Sequence, residues 1–343
     1  MKKLLLATVA VSGLALAAAP AYAEVNLEVG GYFKGYGAYS DTDSQDSSFD
    51  IIRDTELHIG GETTLDNGLT VGAHFEVSVD GGDTSEIDES YLYFSGDWGR
   101  VNFGNEDGAA YLLQVAAPSA DSNIDGLRQF VSPFGFDATG GLTASGSRDN
   151  AVDYAQDVTR GSDKFTYLTP NFNGFQAGIS YTSSNNAAGD FGLDTTTDSV
   201  IEGAVRYEGQ FQNVGVIAGA GYTTAEEDYD AFNVGLDLDI AAFGIGAAYL
   251  SEEGEDAGVD AEEDTIVVGV DYTSGPFKLG ASYLNLDGEA GTTDYDLDRY
   301  TVGATYQYGP GMSLRGSVQY FDGEYGTADD DGTAVVIGTQ INF

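Results

Sequence analysis

The stretch AVVIGTQINF, residues 334–343, places apolar side chains on every second position. Its alternating apolar residues are Val335, Ile337, Ile341 and Phe343. Such a pattern predicts a β-strand whose two faces differ in polarity. The apolar face packs on a core in a water-soluble sandwich, whereas in a membrane barrel it contacts lipid. The rest of the sequence has to decide between these two structures.

The composition favours a folded β-protein in spite of its extreme charge. The 343 residues include 48 Gly, 22 Tyr and 18 Phe, no Cys, and a net charge of −43. So much acid is typical of disorder, but an aromatic content of 12% and regularly spaced apolar residues oppose that interpretation. Nucleic acid is disfavoured as a partner, because so negative a chain repels phosphate.

Residues 1–23, MKKLLLATVAVSGLALAAAPAYA, have the pattern of a secretory signal peptide. Lys2 and Lys3 form its basic start, an apolar run follows, and AYA matches the usual cleavage pattern. We therefore expect a mature chain of residues 24–343, with 11 basic and 56 acidic residues and a charge of −45. Because no long apolar run follows, a mature chain within a membrane would have to be a closed barrel.

The mature sequence alternates strands with connections of two lengths. We predict sixteen strands, at 25–39, 51–63, 69–80, 87–95, 100–104, 163–169, 175–183, 199–208, 214–223, 230–240, 244–250, 265–273, 277–285, 297–308, 312–321 and 333–343. Short Gly-rich and Asn-rich turns alternate with longer acidic loops, predicted at 40–50, 184–198, 251–264, 286–296 and 322–332. Short turns at one rim and long loops at the other are typical of outer-membrane barrels.

The two faces of each strand predict how the sheet is oriented. In 230–240, Phe232, Val234 and Leu236 share one face, and Asp237 and Asp239 lie on the other. Sixteen strands enclose a space too wide for side chains to fill, so the charged face should line water and the apolar face should meet lipid. The predicted fold is all-β: a 16-stranded antiparallel transmembrane β-barrel. Its first and last strands should pair, because a free edge in lipid is costly.

Two further features of the sequence bear on the barrel. Tyrosines near the loop ends of strands match an interfacial aromatic girdle: Tyr181, Tyr222, Tyr249 and Tyr283. Residues 105–148 form the longest connection, in which Gly108 to Ala117 predicts a short helix ended by Pro118. Long ordered loops are usually functional, although a surface loop or a latch between subunits is the alternative here.

Several segments carry a resemblance that covers almost the whole mature chain. They are EVNLEVGGYFKGYG (24–37), DNGLTVGAHFE (66–76), YLYFSGDWGRVNFGN (91–105), PNFNGFQAGISY (170–181) and the terminal Phe343. The chain resembles the general diffusion porins of the Gram-negative outer membrane, especially the alphaproteobacterial, Rhodobacter-type family. The resemblance implies a homotrimer that passes ions and small hydrophilic solutes, in contact with outer-membrane lipid and lipopolysaccharide. It also implies that Phe343 belongs to a C-terminal signal for the barrel-assembly machinery.

The resemblance further implies that the third loop, residues 105–148, folds inward and narrows the pore. Its acids would then face basic residues of the wall, and these acids are Glu106, Asp107, Asp121, Asp125 and Asp137. By strand parity the inward wall residues are Lys34, Asp54, Glu56, His58, His74 and Arg100, while Arg128 and Arg148 belong to the loop. Asp54 and Glu56 stand where the resemblance implies arginines. We therefore expect a negative pore that prefers cations.

Other clusters suggest binding sites. His58 and His74, with Glu56 and Glu76 nearby, could hold a transition metal, or could simply be polar wall residues. Acidic runs such as Glu252 to Asp264 could bind Ca²⁺, or could be solvated loops, and no EF-hand spacing occurs. No other cofactor is expected, and no enzyme motif is present.

Two alternatives to a general porin stay open at this point. A substrate-selective outer-membrane channel would need inward aromatic residues along the solute path, whereas most aromatic residues here have outward parity. A secreted β-sandwich adhesin would be extracted without detergent.

Overall fold

Each alternating stretch of the sequence becomes a strand. The structure, a computed structural model, describes residues 25–44, 46–79, 86–120, 127–128, 133–137, 141–143, 152–183, 199–225, 229–256 and 259–343. The predicted signal peptide, residues 1–23, and the loop predicted at 184–198 lie outside these residues. In chain order the elements are β1 Asn26–Thr42, β2 Ser48–Thr64, β3 Thr70–Ser78, β4 Glu86–Gly96, β5 Gly99–Asn105, α1 Ala109–Leu112, β6 Gly135–Asp137, β7 Gly141–Thr143, β8 Asp163–Leu168, β9 Phe175–Thr182, β10 Val200–Phe211, β11 Val214–Ala225, β12 Tyr229–Ile240, β13 Phe243–Asp256, β14 Val259–Ser274, β15 Phe277–Ala290, β16 Thr293–Gly309, β17 Met312–Tyr325 and β18 Ala328–Asn342.

Sixteen of these strands close into an antiparallel barrel, and β6 and β7 form a separate hairpin within the third loop. The barrel closes between β1 and β18, where the backbone N–H of Gly31 donates to the carbonyl of Phe343 over 3.0 Å. Closure satisfies the hydrogen-bonding groups of both edge strands, which lipid could not do. The predicted 16-stranded barrel is therefore confirmed, including the strand predicted at 163–169, which pairs as β8 with β5 and β9.

The sequence analysis was wrong about most of the long loops. Residues 251–264, 286–296 and 322–332 are mainly continuations of paired strands, and pairing in the first of them reaches Asp256 and Val259. Acidic residues have low β-propensity, so the sequence pattern predicted loops there. Above the apolar band the outward face of these hairpins meets water and tolerates acids, so backbone pairing persists.

The predicted helix from Gly108 to Ala117 is also shorter than expected. Helix α1 ends at Leu112, and the chain then runs extended along the inner wall toward Pro118. The backbone N–H of Gln114 bonds the carbonyl of Tyr111 at 3.0 Å, a short turn that ends the helix. Within the described ranges, no helix has the length and apolar character that crossing a bilayer requires.

The outer face of the barrel is apolar, as the alternation predicts. Ile51 is 78% exposed and Ile337 60%, both on the outward side of their strands. Tyrosines of the predicted girdle donate to acids of neighbouring strands, Tyr249 to Asp264 at 2.7 Å among them. At the loop ends of β13–β18, by contrast, the inward face is apolar and buried, which corrects the expectation of a charged face around water throughout.

The height of the wall varies around the barrel. Strands β5 and β8 have seven and six residues, whereas β1, β2 and β16 have 17 each. The low side is where the chain leaves the wall after Asn105 and returns at Asp163. The third loop, used from here for the connection between β5 and β8 (residues 106–162), therefore starts and ends beside the lowest part of the wall.

Candidate functional site

The start of the third loop lies inside the barrel and is fixed to its wall. Ala109 and Ala110 are fully buried. The N–H of Ala109 donates to Ser180 Oγ at 2.8 Å, and the N–H of Ala110 donates to Glu202 Oε2 at 3.2 Å. Farther along, Arg206 donates to the carbonyl of Gln114 at 2.9 Å. These bonds attach the loop to β9 and β10.

A row of inward glycines, here called the glycine track, lets the loop lie directly on the sheet. Its members on β9 and β11–β15 are Gly178, Gly219, Gly235, Gly246, Gly269 and Gly280. A Cβ added at Gly219 would lie 2.8 Å from Val115 Cγ2, and one at Gly280 would lie 2.6 Å from the backbone N of Ala120. A Cβ at Gly235 would overlap the carbonyl of Val115. Residues 109–120 therefore contact the wall backbone at distances that only glycine permits.

Later parts of the loop pack on the tall side of the wall. Phe134 and Phe321 are both 0% exposed, and their ring centroids are 4.7 Å apart. Arg299 of β16 donates to the carbonyl of Val152. Leu284 and Leu297 belong to the same buried cluster. The apolar inner face of β13–β18 is thus explained, because the loop covers it in place of water.

Glu106 is one of the predicted constriction acids, and it lies at the entrance of the loop. Its carboxylate accepts a hydrogen bond from the side-chain amide of Asn102. Lys164 Nζ donates to its backbone carbonyl rather than to the carboxylate. Burial raises the pKa of Glu106 to about 6, and the charge of Arg100 opposes part of that shift. Glu106 is therefore an acid whose charge changes near neutral pH.

Asp107, the next predicted acid, pairs with a cation of its own loop. Arg128 Nη2 lies 2.7 Å from Asp107 Oδ1 and 2.8 Å from Asp157 Oδ2. The guanidinium carbon also lies 3.9 Å from the ring centroid of Tyr111. Burial disfavours the charge of Arg128, but Asp107 and Asp157 raise its pKa well above the ordinary value. Burial also raises the pKa of Asp157, although Arg128 counteracts it.

The predicted wall residues all face the interior. Lys34 and Asp54 pair with each other at 3.0 Å and are both buried. Arg100 donates to Asn102 at 2.6 Å and lies 4.0 Å over the ring of Tyr93. The rings of His58 and His74 are 5.9 Å apart, beside Glu56. Three predicted residues, Asp121, Asp125 and Arg148, lie outside the described residues, and of Asp137 only the backbone in β6 is described.

The sequence analysis missed four basic residues that the strands direct inward. They are Lys164, Arg206, Lys278 and Arg299. Strand parity could have found them, since each alternates with outward apolar residues such as Leu279 beside Lys278. Lys278 is paired with Asp271 at 2.9 Å. The wall is therefore richer in cations than the sequence analysis expected.

Several inward carboxylates have neutral hydrogen-bond donors instead of cations. Tyrosine hydroxyls donate to them: Tyr32 to Glu56 at 2.5 Å, Tyr93 to Glu62 at 2.6 Å and Tyr229 to Glu252 at 2.5 Å. A hydroxyl stabilises a carboxylate without neutralising it. The interior can thus keep a negative potential while its polar groups are satisfied.

Comparisons with known proteins agree with this architecture. A family model described as Gram-negative porin matches residues 7–326. Among solved structures, an anion-selective porin from Comamonas acidovorans has a TM-score of 0.69 and 18% identity, covering 93% of this chain and 100% of that one. The trimer form of OmpT from Vibrio cholerae has a TM-score of 0.62 and 15% identity, covering 93% and 99%. A double mutant of the Rh. blastica porin has a TM-score of 0.58 and 19% identity, covering 92% and 100%. No curated protein sequence matches the chain.

Proposed function

The chain belongs to the Gram-negative porin family, an outer-membrane channel family rather than an enzyme family, and from this premise we propose that it is a cation-preferring general diffusion pore. Ions and small hydrophilic solutes would pass down their gradients through the water beside the third loop. The width left by that loop would set the size limit, and the charges of the wall and loop would set ion preference. No bond is made or broken in such transport.

The observation that carries the cation preference is the excess of acid, 56 acidic against 13 basic residues, together with inward carboxylates that are held by neutral donors. Some inward cations are neutralised by carboxylates, as in Lys34 with Asp54, Lys278 with Asp271, and Arg128 with two acids, whereas Arg100, Lys164 and Arg299 are held by neutral groups. Carboxylates such as Glu62 are held by tyrosine hydroxyls, which carry no compensating charge. A lumen with uncompensated negative charge concentrates cations. The Comamonas porin of similar fold is described as anion-selective, so ion preference has to be measured for this chain.

The test is the reversal potential of detergent-extracted protein in a planar bilayer under a KCl gradient. We expect a cation-favouring potential that weakens between about 0.1 M and about 1 M salt, because the Debye length falls from about 10 Å to about 3 Å. A Glu62→Gln variant should be less cation-selective than the parent. An anion-favouring potential would refute the charge argument but leave the pore. Folded protein without channel activity would refute the pore.

We also propose that the pore is a homotrimer. Six residues of β8, at a rise of about 3.3 Å and a tilt of about 45°, span roughly 14 Å, whereas the apolar band of such barrels is about 25 Å tall. Neighbouring copies packed against the low wall would cover the region where the apolar band is too short, and light scattering of the detergent complex measures the mass.

A substrate-selective channel is the second candidate, and one structural feature favours it. Inward rings of neighbouring strands form a row in which Tyr32, His58, His74 and Tyr91 follow at centroid distances of 6.0, 5.9 and 5.4 Å. The first two pairs meet edge to face, at interplanar angles of 83° and 75°, and the third is tilted at 40°. Aromatic rings along a path offer contacts to planar or sugar-like solutes. Liposome swelling separates the candidates, because a general pore sorts sugars by size, whereas a selective channel favours one and is blocked by it.

Binding of Ca²⁺ at the acidic rim remains a further proposal. Asp331, the strongest influence, raises the pKa of the neighbouring Asp43, and Asp330 accepts a 3.1 Å bond from the backbone N–H of Ser44. A divalent ion would relieve this repulsion and could link the rim to lipopolysaccharide. Calorimetric titration with CaCl₂ tests the idea, and the absence of binding heat at millimolar Ca²⁺ would exclude it.

Two proposals concern the ends of the sequence. We propose that residues 1–23 are removed on export, so that N-terminal sequencing of the membrane protein starts at Glu24. We also propose that Phe343 serves recognition by the barrel-assembly machinery. Phe343→Ala should then reduce the amount of folded barrel in the membrane without changing the conductance of the barrels that do assemble.

A further inference from the structure

Two histidines and a glutamate converge on the inner wall beside the third loop. Nε2 of His74 lies 2.8 Å from Glu76 Oε1, and Nδ1 of His58 lies 3.6 Å from the same oxygen. The three possible ligand atoms all lie within 4.8 Å of one another. Adjacent strands fix this arrangement, because β2 and β3 pair with His58 opposite Glu76. The cluster therefore belongs to the rigid part of the barrel.

The spacing of these atoms suits a bound transition metal. Zn²⁺ binds imidazole nitrogen and carboxylate oxygen at about 2.0–2.2 Å, which places neighbouring ligand atoms of a tetrahedron roughly 3.3 Å apart. The two distances to Glu76 Oε1, 2.8 and 3.6 Å, lie on either side of that value, and the imidazole nitrogens lie within 4.8 Å of each other. A bound ion would draw the two imidazoles closer together through small side-chain rotations. Two imidazoles and one carboxylate form a donor set that suits Zn²⁺, Cu²⁺ and Ni²⁺.

A second observation comes from Glu56, which is only 6% exposed. One of its carboxylate oxygens accepts a 2.5 Å bond from Tyr32, but the other, Oε1, is buried and has no hydrogen-bond partner among the described residues. Nε2 of His58 is also buried and unpartnered, and it lies 3.6 Å from that oxygen. Leaving both groups unpaired costs free energy in a buried position.

A metal bound to Nδ1 of His58 would give both of these unpaired atoms a partner in each other. Coordination through Nδ1 requires the tautomer that carries its proton on Nε2, and Nε2 lies 3.6 Å from Glu56 Oε1, the nearest acceptor for that proton. A carboxylate behind a metal-bound histidine is a common arrangement that orients the ring and raises its basicity. Tyr32 would in turn hold Glu56 in place.

We propose that His58, His74 and Glu76 bind one transition-metal ion per chain, with Glu56 orienting His58. The fourth position faces a cavity of about 270 Å³ that is also lined by Asp107, Tyr111 and Arg128. An ion in the lumen can therefore reach the site, and water can complete its coordination. A bound divalent ion would add two positive charges next to the third loop and weaken the cation preference of the pore.

The direct test is Cu²⁺ electron paramagnetic resonance on untagged, folded barrel in detergent. The chain contains two histidines, so coupling to two imidazole nitrogens can come only from this pair. We expect that coupling in the parent protein, and coupling to one nitrogen in His58→Asn or His74→Asn. A parent spectrum without imidazole coupling would overturn the proposal without any variant having to fold.

Calorimetric titration with ZnCl₂ measures affinity and the orienting role of Glu56. We expect one Zn²⁺ per chain, with affinity lowered at least about tenfold by Glu76→Gln and about 10- to 100-fold by Glu56→Gln. Asp50→Asn is the matched control, since it removes an exposed carboxylate from the same strand outside the cluster, and its affinity should equal that of the parent. Equal affinity in all four proteins would place the ion elsewhere and refute the site. Because both readouts measure binding, they do not depend on whether the pore prefers cations.

Discussion

Arg128 gives the sharpest prediction about what holds the third loop inside the barrel. In Arg128→Met an aliphatic stem is kept, but the guanidinium and its contact with Tyr111 are lost, and Asp107 and Asp157 lose the cation that lies 2.7 and 2.8 Å away. Removing one partner of a buried ion pair costs about 3–5 kcal/mol, because a charge is left uncompensated. The Asp157 side chain is 27% exposed, so water can solvate part of it and the lower end of that range applies.

A loss of about 3 kcal/mol corresponds to roughly a hundredfold increase in local opening of the loop. We expect hydrogen exchange to accelerate by that factor in a peptide covering α1, while strands such as β16 keep their protection. Mass spectrometry of the folded barrel in detergent measures both regions in one experiment. The barrel itself should stay closed, because its strand pairing does not depend on Arg128.

Arg160→Met is the matched control for this experiment. Arg160 pairs with Asp88 at 3.1 Å but is 30% exposed, so its loss should cost less than about 1 kcal/mol and change exchange less than about fivefold. Adding Asp107→Asn and Asp157→Asn to Arg128→Met removes the unpaired charges and should restore most of the protection. Equal exchange of α1 in the parent and in Arg128→Met would refute the reasoning and leave the glycine track as the main attachment.

Three further predictions concern the same loop. Glu106 binds its proton more tightly in the folded protein, so lowering the pH from about 7 to about 5 should neutralise it and reduce cation preference, with a midpoint near its pKa of about 6. Glu106→Gln should lack this change in cation preference. If the change persists in Glu106→Gln, Glu106 is not the group that causes it. Gly235→Val should displace the loop from the wall and change single-channel conductance. Gly203→Val is the control, since an added Cβ there would meet nothing closer than 4.0 Å, and it should leave conductance unaltered. Equal conductances in the two variants would mean that the glycine track does not position the loop. Phe321→Ala removes a fully buried ring and should cost about 3–5 kcal/mol, measured as faster proteolysis around Phe134 at unchanged barrel content, and unchanged cleavage would argue against this contact.

Strand parity was enough to predict the barrel, because one face of most strands is apolar over the whole lipid-facing height. It failed where the environment changes along a strand. In β15, Leu279 faces outward, but farther along the strand Leu284 and Leu286 face inward and are buried. At that height the outer face has left the lipid and the inner face is covered by the loop, so the preferred side for apolar residues is reversed. A rule that places apolar residues on the same face along the whole strand therefore fails to predict this reversal.

The candidate site was only partly predictable for a related reason. The inward direction of Lys34, Glu56 and His58 follows from parity within one strand. Their partners do not, because pairing depends on the register between strands and on where the loop comes to lie. The glycine track is the clearest case, since each glycine looks like an ordinary turn or strand residue until neighbouring strands are aligned. Arg128 likewise reaches Asp157 only through the path of the loop.

The glycine track also has a mechanical consequence. Residues 109–120 run along the wall across the strands from β9 to β15 and are fixed to them, which stiffens that arc of the barrel. When the lateral pressure of the surrounding bilayer changes, the barrel should deform mainly along the arc that the loop does not stiffen. Here that arc contains β1 to β3, the strands that carry Lys34, His58 and His74. Membrane tension would therefore act on the open cross-section through these strands, while the loop stays fixed to the opposite wall.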